Sequence, residues 1–97
     1  MPQDKFPPAV PAGLHADPSG AGVSLVWESD TDADLAGYRI YRAEGSGAWQ
    51  KLGDVNAVPS YSDTTGEHGK TYRYAVSAFD KSGNESDRSS IVEIVFP

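Results

Sequence analysis

The chain has 97 residues, with eight Lys and Arg against fourteen Asp and Glu, a formal net charge of −6 and no cysteine. That length is one domain whose single core can form without cross-links, and the missing thiols exclude disulfides, thiolate metal sites and cysteine nucleophiles. The acidic balance repels phosphate backbones, so nucleic acid is not an expected partner. With no apolar run near the roughly 18 residues that a span requires, direct membrane insertion is not expected either.

Pro2, Pro7, Pro8 and Pro11 make the first eleven residues read as an extended tether, because proline cannot donate to a ladder and favours polyproline II. Gly13 to Asp17 suits a short edge strand, and Pro18-Ser19-Gly20-Ala21-Gly22 a turn. Val23 to Glu28 alternates, with Val23, Leu25 and Trp27 on one face. An acidic loop from Ser29 to Asp34 leads into a third strand, Leu35 to Arg42, where Tyr38 and Ile40 alternate with Arg39 and Tyr41. Gly45-Ser46-Gly47 is a hairpin connection into a shorter strand at Ala48 to Leu52, and Gly53 to Pro59 reads as loop. Ser60 to Asp63 is a fifth strand.

The clearest signal runs from Lys70 to Phe79. Tyr72, Tyr74, Val76 and Ala78 share one face and Arg73, Ala75, Ser77 and Phe79 the other, in a run rich in aromatic and β-branched residues. Ser82-Gly83-Asn84 turns the chain, and Gly83-Asn84-Glu85-Ser86 is expected to do no more than that. Ile91 to Val95 closes the set. Seven short strands with no helical periodicity predict an all-β, seven-stranded antiparallel sandwich.

In order and spacing these elements resemble a fibronectin type III domain over about residues 8 to 95. The resemblance rests on the proline-rich start before Leu14, on Val23-Ser24-Leu25-Val26-Trp27 and on Leu35-Ala36-Gly37-Tyr38-Arg39-Ile40-Tyr41-Arg42. It rests further on Tyr61-Ser62-Asp63, Gly69-Lys70-Thr71-Tyr72 and Gly83-Asn84-Glu85-Ser86. The phrases around Asp34 to Tyr38 and Gly83 to Ser86 look most like bacterial extracellular and lipoprotein members. The resemblance implies an immunoglobulin-like topology, with strands one, two and five in one sheet and the others in the second, the sixth strand lying between the third and the seventh. It divides the chain into a linker at residues 1–7 and a domain at 8–97. Trp27 and Tyr38 become core residues from facing sheets. Tyr72 takes the place of the family's tyrosine corner, its phenol bonded to a backbone group just upstream. One departure stands out: family members often carry an apolar residue six positions before the corner tyrosine, and here that residue is Gly66, which predicts a less well packed turn.

Candidate sites are few. Asp30, Asp32 and Asp34 have the spacing that opens an EF-hand loop, but the sixth position is Leu35 instead of glycine and the twelfth Tyr41 instead of glutamate. What survives is a weak calcium site among acids of the loop end, which would collect Asp54, Asp80, Glu85 and Asp87 as well; the plainer reading is a set of solvated acidic loops. Tyr41, Trp49 and Phe79 form a possible binding face on the outside of the larger sheet, where aromatic rings can stack on sugars or anchor a protein. Against that, Arg39 and Arg73 lie nearby, and guanidinium stacking on aromatic rings is routine at surfaces. His15 and His68 could approach one another at one pole, which by itself is no metal site.

No Gly-x-Ser-x-Gly elbow, phosphate loop or pocketed carboxylate pair occurs, so neither an enzyme nor a cofactor is expected. Asn84-Glu85-Ser86 is a formal glycosylation sequon, relevant only in a eukaryotic secretory pathway. The resemblance implies a monomeric, non-catalytic module, a spacer or interaction domain of a larger bacterial secreted or envelope-anchored protein. Its partners would be the parent's other domains, with a protein or a glycan as further candidates.

Overall fold

The computed structural model describes residues 7–20, 22–31 and 33–97, so most of the linker segment lies outside the described residues. They form seven strands: β1 (His15–Ser19), β2 (Gly22–Val26), β3 (Leu35–Glu44), β4 (Gln50–Val55), β5 (Ser60–Asp63), β6 (Thr71–Asp80) and β7 (Val92–Val95). One sheet has the order β1-β2-β5 and the other β4-β3-β6-β7, with antiparallel pairing throughout. The expected division between sheets therefore holds, with β6 between β3 and β7.

β2 stops at Val26, short of Glu28, and β3 runs on to Glu44, while β1 and β4 are displaced along the chain. β1 continues through Pro18 and Ser19 to pair with Val23 and Gly22, shortening the turn. Its place at a sheet edge explains this, because an edge position tolerates a residue without an N–H. β4 is shifted forward by two to three residues and includes Gly53, which read as loop. A Cβ at Gly53 would come 2.9 Å from the Tyr61 hydroxyl, so the glycine is where β5 of the facing sheet sends an aromatic side chain against β4.

The core lies between the sheets. Val23, Leu25 and Trp27 come from one side and Tyr38, Ile40, Tyr72, Tyr74, Val76 and Ala78 from the other, all buried. Trp27 and Tyr38 meet edge to face, with ring centroids 5.2 Å apart at 74°, a favoured aromatic geometry. The Tyr38 hydroxyl accepts a hydrogen bond from the Asp30 backbone N–H at 2.8 Å, so the same residue fills the core and fastens the β2–β3 loop.

At the other pole the core is closed by a buried charge. Asp63, at the end of β5, accepts hydrogen bonds from the Tyr74 hydroxyl (2.6 Å), Arg42 Nη1 (2.9 Å), Thr65 Oγ1 (2.7 Å) and Thr65 N (3.0 Å). These join β5 to both central strands of the other sheet. Burial alone would raise the Asp63 carboxyl, but the bonds from Tyr74, Thr65 and Arg42 outweigh it and hold the group below the usual carboxylate range. Burial, and then the bond to Asp63, push the Tyr74 phenol upward.

The turn before β6 is well packed, contrary to the expectation from Gly66. The Phe96 ring, 2% exposed, lies directly on Gly66, where a Cβ would overlap it, and meets the Tyr72 ring edge-on at 5.8 Å. Main-chain bonds from Phe96 N to Lys70 O (2.8 Å) and from Gly69 N to Phe96 O (3.0 Å) hold it there. An apolar group supplied by the end of the chain thus replaces the one missing at position 66. Tyr72 accepts a hydrogen bond from Glu67 N at 2.9 Å, five residues upstream.

Candidate functional site

The outer face of the β4-β3-β6-β7 sheet carries the three aromatic residues singled out above. Strand alternation puts Tyr41, Phe79 and Arg73 on the side of the pleat away from the core. Trp49 reaches the same face from the β3–β4 connection. All three rings are partly exposed, and each has a guanidinium against it. Arg39 lies 4.4 Å from the Phe79 centroid, Arg73 5.0 Å from Trp49, and Arg88 5.4 Å from both Tyr41 and Trp49.

Glu85 ties this row together. Its Oε1 accepts from Arg39 Nη1 at 2.8 Å, and its Oε2 from Ser77 Oγ at 2.5 Å and from the Tyr41 hydroxyl. Burial pushes the Glu85 carboxyl upward, yet the bonds from Ser77, Tyr41 and Arg39 prevail and keep it below its ordinary value. Burial, and then Glu85 itself, raise the Tyr41 phenol. The result is a continuous line across the sheet from Arg73 through Trp49, Arg88, Tyr41, Glu85 and Arg39 to Phe79.

The segment after β6 builds this line. Residues 84–90 run back along β6 without forming a regular strand. Ser86 N donates to Ala78 O and Ser89 N to Val76 O, both at 2.8 Å. In return Ala78 N donates to Ser86 Oγ at 2.9 Å and Val76 N to Ser89 Oγ at 3.0 Å. Each serine thus satisfies both main-chain groups of a β6 residue, with its hydroxyl standing where a ladder carbonyl would be. Gly83-Asn84-Glu85-Ser86 therefore does more than turn the chain. The turn is set by Asp80, whose carboxylate accepts from Ser82 N, Asn84 N and Asn84 Nδ2 at 2.9–3.0 Å. Those bonds, Asn84's side-chain bond foremost, hold the Asp80 carboxyl low. Asn84 Nδ2, the atom a glycan would require, is one of the donors.

The acids expected to gather at the loop end have separate engagements. Asp54 lies 3.2 Å from Lys51 and 3.8 Å from Arg39, Asp80 caps its own loop, and Glu85 and Asp87 belong to the return segment along β6. Asp32 lies outside the described residues. Among the described residues no group of three or more His, Cys, Asp and Glu is placed to hold a metal ion. The two histidines are at opposite poles. His15 pairs with Val26 and lies 3.1 Å from Asp17, whereas His68 is in the β5–β6 loop against Pro97 O, beyond the Val23–Asp63 end of β2 and β5. The antiparallel register separates them.

Residue patterns named Glu85 only as a loop acid and Ser86 only within a turn phrase and a sequon, and did not single out Arg88, Ser89 or Phe96. A weak signal existed in Ser86-x-x-Ser89, small hydroxyl residues spaced like the alternate carbonyls of a neighbouring strand. Phe96 lies one residue past the alternating run, where periodicity ends.

Three and four antiparallel strands, packed face to face around one core and fastened at Tyr72, define an immunoglobulin-like β-sandwich. No family model matches the sequence. Over 96 residues, 98% of this chain, it is 34% identical to an amylopullulanase of Thermoanaerobacterium saccharolyticum, of which it spans 7%. Over 73 residues, 73% of this chain, it is 37% identical to endoglucanase B of Cellulomonas fimi, again 7% of that protein. The chain thus corresponds to a small part of each enzyme. The crystal structure of an Fn3-like protein from Clostridium thermocellum superposes with a TM-score of 0.76 at 30% identity, covering 93% of this chain and 94% of that one. The chain belongs to the fibronectin type III family.

Proposed function

We propose that the chain is a non-catalytic accessory module of a larger bacterial extracellular polysaccharide-degrading enzyme, serving as a spacer and interaction domain. The observation that carries this reading is the state of the outer sheet face. Each of its three aromatic rings already has a guanidinium against it, and Glu85 cross-links the row, so a sugar ring would have to displace an arginine before it could stack. Two further points support it. The similar stretches lie in enzymes named for different polymers, an amylopullulanase and an endoglucanase, as expected of a part whose role does not depend on the substrate. Asp63 and Glu85, carboxylates closely held by neighbouring side chains, are both kept below their ordinary values, the opposite of what a general acid needs. No helix of the described residues is long and apolar enough to cross a membrane.

Cosedimentation with insoluble starch and with cellulose tests the reading. The module is expected to stay in the supernatant at every polymer load and to release no reducing sugar. Saturable depletion by either polymer, or turnover of it, would contradict the proposal.

A further inference from the structure

The row of stacked guanidiniums is not electrically balanced at one end. Arg39, Arg42, Lys51 and Lys70 all have carboxylate partners. Arg88 has none: its contacts are the Tyr41 and Trp49 rings, and no hydrogen bond or ion pair to it occurs among the described residues. Arg73, on the same indole, gives Nε to Gly45 O at 2.6 Å and Nη2 to Gly47 O at 2.9 Å, and makes no ion pair with its cross-strand neighbour Glu93. Two guanidiniums without carboxylates thus flank Trp49 in a chain whose net charge is −6.

Beside them is an open groove of about 550 Å³, lined by Tyr41, Trp49, Arg88, Ser89 and Ile91. Glu85 and Asp87 also border it. The oxygens of Glu85 are occupied by Arg39, Ser77 and Tyr41, and Asp87 is exposed without an ion pair to Arg88. Ile91 is 54% exposed, an apolar side chain at the groove edge. The rings position Arg88, which leaves the forked N–H edge of its guanidinium to recognise a carboxylate.

We propose that this groove docks an acidic polypeptide segment, one carboxylate seating on Arg88 and an adjoining apolar side chain on Ile91. The proposal rests on the reading of the module as an interaction domain and names the class of its partner. A polypeptide fits better than an acidic sugar chain because the groove sets an exposed aliphatic residue beside the cation.

The test is an NMR titration of the whole chain, following the Trp49 indole and Arg88 Nε–H signals at about 20 mM salt, where surface charges are weakly screened. The probes are a hexapeptide of four glutamates and two leucines, polygalacturonate and maltoheptaose. The peptide should shift both signals saturably. Arg88→Gln, with an unchanged melting temperature, should weaken that binding roughly tenfold, the worth of one charge-assisted bond, while Lys51→Gln should leave it alone. Absent shifts, binding that survives Arg88→Gln, or an equal loss in Lys51→Gln would overturn the proposal. So would tighter binding of polygalacturonate than of the peptide. Saturable binding of maltoheptaose would instead overturn the accessory-module reading, so the two failures are distinguishable.

Discussion

Gly66 and Phe96 are a matched pair: the glycine has no side chain because the ring occupies its place. Phe96→Ala should cost about 3 kcal/mol, since it empties a site between Tyr72 and the loop, and Gly66→Leu about 1–3 kcal/mol through overpacking. Made together they should cost clearly less than the sum, because the leucine enters the space the ring vacates; additivity in denaturant melts would contradict the exchange. Tyr72→Phe removes the bond from Glu67 N and should cost about 1 kcal/mol. A change within error would remove that bond from the account. Tyr72 was legible in the sequence because its strand alternates cleanly and its surroundings resemble the family's. Phe96 was not, because a single aromatic residue beyond the last strand has no period to reveal which residue it covers.

Among the elements, the segment 84–90 pairs with β6 while carrying no alternating strand pattern in its sequence. Alternation identified β6 and β7 from their side chains, but the chain between them pairs with β6 through serine hydroxyls, which leave no alternating pattern. Ser77, fully buried on a face expected to be open, donates its hydroxyl to Glu85 of this segment. Ser86→Ala and Ser89→Ala each remove the acceptor of a buried β6 N–H and should cost about 1–3 kcal/mol. Amide exchange should accelerate at Ala78 in the first variant and at Val76 in the second. Unchanged exchange at both amides would mean that the hydroxyls do not carry these bonds. The β4 shift has a similar origin: Gly53 reads as loop in isolation and becomes strand only because Tyr61 of the other sheet needs the space.

Over the whole molecule, the arrangement of sheets followed from seven alternating runs and a family resemblance, whereas the electrostatic design did not. Which of fourteen acids are buried depends on contacts across sheets, such as Asp63 with Arg42 and Tyr74. Asp63, Asp80 and Glu85 are all held below their ordinary values. Groups depressed in the folded state add stability that is complete above their unfolded values, about pH 4, and is lost as pH falls through the folded ones. The melting temperature should therefore decline steeply below about pH 4. Asp63→Asn should flatten that decline and, by leaving Arg42 without its anion, cost about 3 kcal/mol at neutral pH. At the basic end Tyr74, raised by burial and by Asp63, contributes stability that is lost above about pH 10.

The charge pattern and the stacked outer face support the proposal that this module does not offer its aromatic rings to a sugar. Calorimetric titration with maltoheptaose and with cellohexaose tests that claim most directly. No heat beyond dilution is expected for either sugar, before or after Trp49→Ala. Saturable heat that disappears in Trp49→Ala would show that the indole is a sugar platform and would contradict the claim.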